Sequence, residues 1–168
     1  MPIVRNNDNV ANGVWQNHTR IANFAWDAAT DSGSGTKKYY VYWGNDPAGT
    51  TNSESTNLNY HNGTPIVAND SAATWYLRTR SEDGVGLRSD WNSYALRYDG
   101  SKPTVTLNAN YGLPVVRSTN VHLAVDYNDS GSGVDQMRFS TEGANWSEWL
   151  SATNEIFWEI PSVGKRSY

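Results

Sequence analysis

Three histidines, His18, His61 and His122, are the side chains of this sequence best suited to proton transfer near neutral pH. Nucleophilic catalysis needs such a base within reach of a Ser or Thr hydroxyl. The three fall in different segments, and no G-x-S-x-G elbow accompanies them. His18 lies in a loop-like Asn-His-Thr, His61 beside a turn, and His122 at an alternate, solvent-facing strand position. Glycoside hydrolysis takes two carboxylates across a cleft. Glu142, Glu148, Glu155 and Glu159 are available, but they are scattered over strands and hairpin loops as solvated surface charges. Calcium takes several oxygens from one flexible loop. Asp27 and Asp31 flank one Asp-Ser-Gly-Ser-Gly segment, and Asp126 and Asp129 flank a second. The EF-hand pattern is absent, and Asp-Ser-Gly-Ser-Gly is a good turn in its own right. With no cysteine there is no thiolate ligand, thiol nucleophile or disulfide framework. The expectation is a protein with no catalytic residue, no metal and no cofactor.

Aromatic side chains are the other chemical resource. The chain holds 8 Trp and 10 Tyr against 3 Phe and 2 Met, an excess of rings that carry a polar handle. Tyr40, Tyr42 and Tyr76 fall on one outward face, flanked by Arg78 and Arg80. They offer a surface for polysaccharide or protein, or for the next domain. The alternative is cross-strand stacking that stabilises the sheet, at about 0.2–1 kcal/mol per pair. Trp146 and Trp149, three apart, are expected on opposite faces, with one of them open to a ligand. Trp91 is expected to cap the sandwich end.

The elements that must carry these rings are strands. Apolar residues alternate in short runs broken by Gly, Asn, Asp and Ser, which is the all-β pattern. Phe24 and Trp26 share a face; so do Tyr39, Val41 and Trp43; Trp75 and Leu77; and Tyr94, Leu96 and Tyr98. The predicted core is Phe24, Trp26, Tyr39, Val41, Trp43, Trp75, Leu77 and Leu96, followed later by Val121, Leu123, Val125, Met137, Phe139 and Phe157.

The pattern restarts after Lys102-Pro103. Residues 24–44, FAWDAATDSGSGTKKYYVYWG, align with 123–143, LAVDYNDSGSGVDQMRFSTEG, with one residue deleted before the shared DSGSG. This divides the chain into 1–101 and 102–168, joined near Gly100–Pro103.

The first part resembles the bacterial fibronectin type III and Ig-like modules. The resemblance rests on FAWDAA (24–29), YYVYWG (39–44) and TWYLRTRSEDGVGLRSDW (74–91), with Val85 and Leu87 standing where Ala and Asn are usual. The second part is similar through DSGSGVDQMRFSTEGANWSEW (129–149). The resemblance implies two tandem β-sandwiches, the second lacking its last strands, because the printed sequence stops at Gly164–Tyr168 where a sixth strand would begin. It also implies a non-catalytic spacer or adhesion module of a larger extracellular or cell-surface bacterial protein. Its partners would be neighbouring domains or subunits. A carbohydrate-binding module is one alternative. A filament or shell subunit completed by a neighbour's strand is another.

Composition excludes other classes. A net charge of −4 leaves no basic footprint for nucleic acid. No window approaches the roughly 20 apolar residues of a membrane-spanning helix.

Overall fold

Alternation at period 2 with β-branched and aromatic residues builds strands whose faces differ. The structure is a computed structural model and describes residues 3–51, 53–66, 72–113 and 118–160. It is all-β, and no α-helix occurs among the described residues. The chain forms two compact units, Met1–Ser101 and Lys102–Tyr168.

The first unit contains β1 (Val4–Asn6), β2 (Trp15–Gln16), β3 (Ala22–Trp26), β4 (Thr36–Gly44), β5 (Ser53–Ser55), β6 (Asn59–Asn62), β7 (Ala73–Asp83) and β8 (Asn92–Tyr98). They make two sheets, ordered β1-β3-β6 and β2-β8-β7-β4-β5. All pairings are antiparallel except β2 with β8. Inward positions of both sheets meet in one core. Ala22, Phe24 and Trp26 come from the first sheet, and Tyr39, Val41, Trp43, Leu77, Tyr94 and Leu96 from the second. Phe24 lies edge-on to Tyr94 at 5.2 Å, and Trp26 edge-on to Tyr39 at 5.7 Å, geometries that ring quadrupoles favour. The predicted core is buried here except Trp75, which is half-buried and packs on Trp43 at 5.2 Å.

The second unit contains β9 (Thr104–Ala109), β10 (Asn120–Asn128), β11 (Gln136–Met137), β12 (Leu150–Ser151) and β13 (Glu155–Glu159), with a 3-10 turn at Asn110–Gly112. A three-stranded sheet, β13-β10-β9, faces a two-stranded β11-β12 hairpin. Its core is Val121, Leu123, Val125 and Phe139, with Met137 half-buried against them. Phe157 was expected in this core and is instead 65% exposed. The register explains the difference. Leu123 pairs with Ile156 and Val121 with Trp158, so Ile156 and Trp158 face inward, and Phe157, opposite His122, faces out. A one-residue error in parity flips every side chain of a strand. Gly164–Tyr168 lie outside the described residues.

The two Asp-Ser-Gly-Ser-Gly loops have the same local conformation. Gly35 N–H donates to the Asp31 carboxylate at 2.8 Å, and Gly133 N–H to the Asp129 carboxylate at 3.2 Å. Both glycines are left-handed, with φ of 72° and 77°, a conformation that costs a Cβ-bearing residue. In each unit the loop leads from the central strand of the three-stranded sheet, β3 or β10, to a strand of the facing layer, β4 or β11.

Candidate functional site

The predicted tyrosine patch is not an open platform. Tyr40 does lie on the outward face of the five-stranded sheet, yet it is only 7% exposed. The cationic groups of Lys38, Arg88 and Arg80 lie 4.8, 4.5 and 5.3 Å from its ring centroid. Its hydroxyl donates to Glu82 Oε2 at 2.6 Å and accepts from Arg88 Nη2 at 2.8 Å. Arg88 Nε also donates to Glu82 at 2.8 Å. The Tyr40 and Arg88 hydrogen bonds, helped by the nearby Lys38 charge, hold the Glu82 carboxyl below its ordinary range. Tyr42 is half-buried, and its hydroxyl accepts from the Asp46 N–H at 3.1 Å. Tyr76 is half-buried opposite Gly44 and Ala95. Trp91 does not cap the sandwich end. It lies over Arg78 and Arg80 at 5.1 and 4.6 Å, extending the row of stacked cations and rings. This face is therefore occupied by its own cation–π contacts, each worth about 0.5–1 kcal/mol at exposed sites.

Trp146 and Trp149 behave differently. They were expected on opposite faces; both instead flank one guanidinium, that of Arg138, at 4.9 and 4.7 Å. Residues 147–149 leave strand geometry, so alternation does not apply to them. Both rings remain half-open, at 50% and 55% exposure. Arg138 is the residue that sequence reasoning missed. A usable signal exists, since Arg80 precedes Ser89-Asp90-Trp91 at the same spacing as Arg138 precedes Ser147-Glu148-Trp149. The two segments also share their hydrogen bonds. Ser89 N–H donates to the Ser81 carbonyl and Ser89 Oγ accepts from the Ser81 N–H; Ser147 does the same with Phe139. In each case the serine hydroxyl donates to the following carbonyl, that of Asp90 or Glu148.

These two tryptophans line an apolar groove of about 610 Å³ within the second unit. Val105, Leu107 and Val125 line one side and Met137 and Phe139 the other. Val105 and Leu107 are 66% and 53% exposed because nothing among the described residues covers them. The groove offers shape, apolar surface and one cation.

The acid–base candidates stay apart from it. His18 and His61 are exposed. His122 is on the outer face as expected, but it is covered by Tyr111, stacked at 4.4 Å, and by Phe157, edge-on at 5.3 Å. Its Nε2 lies 3.3 Å from Glu155. Glu142, Glu148, Glu155 and Glu159 are all exposed. The Asp31 and Asp129 carboxylates are taken up by backbone N–H groups of their own turns, and Asp27 pairs with Arg5 at 2.6 Å. Among the described residues no cluster of three or more His, Asp or Glu could hold a metal ion, and no helix is long and apolar enough to cross a membrane. No protein-family model, no curated protein and no solved structure matches the chain.

Proposed function

We propose that the chain is a non-catalytic structural module, a spacer or adhesion segment of a larger extracellular bacterial protein built from fibronectin type III-like or Ig-like β-sandwiches. The observation that carries this reading is the strand order of the first unit. Two antiparallel sheets, β1-β3-β6 and β8-β7-β4-β5, close over a shared aromatic core, with the short β2 alongside β8. Sandwiches of this kind serve as rigid spacers in many surface proteins, though fold alone does not assign function. The internally stacked outer face of the five-stranded sheet supports the same reading, because its rings are spent on holding the sheet. The test is replacement of residues 1–168, within the parent protein, by two unrelated β-sandwiches of equal length. A spacer is replaceable, so the parent's surface activity is retained. Loss of that activity, or retention of the isolated chain on a polysaccharide column through Trp146 and Trp149, rejects the spacer reading.

The open groove of the second unit favours a second reading, in which that unit is completed by a strand from a neighbouring polypeptide. Uncovered strand edges beside apolar surface pair with available strands.

A further inference from the structure

We infer that the groove of the second unit is an acceptor for an extended strand of a partner polypeptide, one that runs antiparallel along β11, sets apolar residues at alternate positions into the groove and places a carboxylate against Arg138. This rests on the strand-completion reading and adds the chemistry of the strand.

The first unit supplies the template. Its β4 follows an Asp-Ser-Gly-Ser-Gly loop and pairs with β5 on one edge and β7 on the other. In the second unit β11 follows the equivalent loop and pairs with β12 on one edge, while no described strand occupies the other. In the first unit β7 and β8 fill the corresponding space with Leu77, Tyr94 and Leu96, all buried. In the second unit that space is the groove. The missing material is thus backbone as well as apolar side chain. A bare strand edge asks for N–H and C=O partners at strand spacing, and a peptide strand supplies them where a sugar or a lipid chain does not.

Charge specifies the strand further. The repeat alignment that matches the two loops puts Arg138 where the first unit has Tyr40. Tyr40 meets Glu82 of β7, the covering strand, through its hydroxyl. Arg138 has Trp146 and Trp149 on its guanidinium but makes no hydrogen bond or ion pair with any described residue. Stacking uses the faces of a guanidinium and leaves its N–H edges free, the geometry that takes a carboxylate in a fork. An acidic residue on the incoming strand completes in the second unit what Glu82 does in the first.

The probe is a synthetic peptide with the sequence of Ala73–Asp83, the strand that fills this position in the first unit, titrated into the full chain. We expect saturable one-to-one binding by calorimetry and slowed amide exchange over Gln136–Phe139. Leu107→Glu, at an exposed groove position that leaves the sheet intact, should weaken binding at least about tenfold. A peptide carrying Glu82→Lys should also bind more weakly to the natural chain and recover on the Arg138→Glu variant. Absence of binding, or binding indifferent to Leu107→Glu, overturns the inference. If the chain alone forms oligomers that Leu107→Glu dissolves, the occupant is a second copy; strand completion stands and the partner named here falls. If the groove amides of a monomer, or of a longer natural chain, are protected before any peptide is added, the chain fills its own groove and both readings fall.

Discussion

Tyr40 illustrates how a single side chain changes meaning between sequence and structure. A tyrosine at an outward strand position is a natural ligand platform, but three cations cover this one and Glu82 accepts its hydroxyl proton. The Glu82 carboxyl titrates below the ordinary glutamate value of 4.5, chiefly because of the Tyr40 hydrogen bond and then that of Arg88. A carboxyl whose folded-state value is depressed stabilises above its unfolded value, and that contribution is lost as pH falls through the folded one. Thermal melts should therefore show acid destabilisation of the first unit below about pH 4.5, and Glu82→Gln should flatten it. Burial raises the Tyr60 and Tyr94 hydroxyls, so the opposite sign holds for them: their contribution is full at neutral pH and declines as pH rises past 10.0. Thr79 is fully buried and its hydroxyl has no hydrogen-bond partner among the described residues. Removing an unsatisfied buried hydroxyl while keeping shape relieves a desolvation cost, so Thr79→Val should gain about 1 kcal/mol in urea denaturation.

At the scale of elements, the regular strands were legible and the irregular segments were not. Parity along β3, β4 and β7 picked the inward residues because each strand has one face on the core, and a period of two then leaves no freedom. It failed at Phe157 by one residue, because Ile156 and Trp158 occupy the inward positions. It failed at Trp146 and Trp149 because the chain between them is not a strand. Two measurements check this division. Phe157→Ser should cost under about 1 kcal/mol, since the ring is exposed, whereas Trp26→Ala should cost about 3–5 kcal/mol, since the whole ring leaves a filled core. The duplicated loops invite a paired test. Gly35→Ala and Gly133→Ala should each cost about 1 kcal/mol or more, because both positions need a left-handed backbone. Equal costs in the two units would match the glycine N–H to aspartate hydrogen bond that the two turns share.

For the whole molecule, the contrast between the units matters most. The first buries residues from two sheets against each other, while among its described residues the second buries four apolar ones beneath one small sheet and a hairpin. Stability follows buried apolar area, and a small unit with an open core is marginal. Denaturant unfolding followed by hydrogen exchange should therefore resolve two steps, the second unit opening first. Ligands that bind the folded form raise its stability by mass action, so a strand-like peptide should shift only the earlier step. A single cooperative transition would mean that the two units share one unfolding event.

Composition and alternation by themselves determined that this chain is all-β, where its main strands run, and that a turn and a pair of strands recur along it. Those are local properties: side-chain volume, backbone preference and period two act within a few residues. Only the tertiary structure decided which rings are open. Exposure depends on what a distant segment lays over a face, as Arg88 and Arg80 do over Tyr40 and as no described strand does over Val105 and Leu107. Alternation specifies the two sides of a strand; packing decides which side meets water.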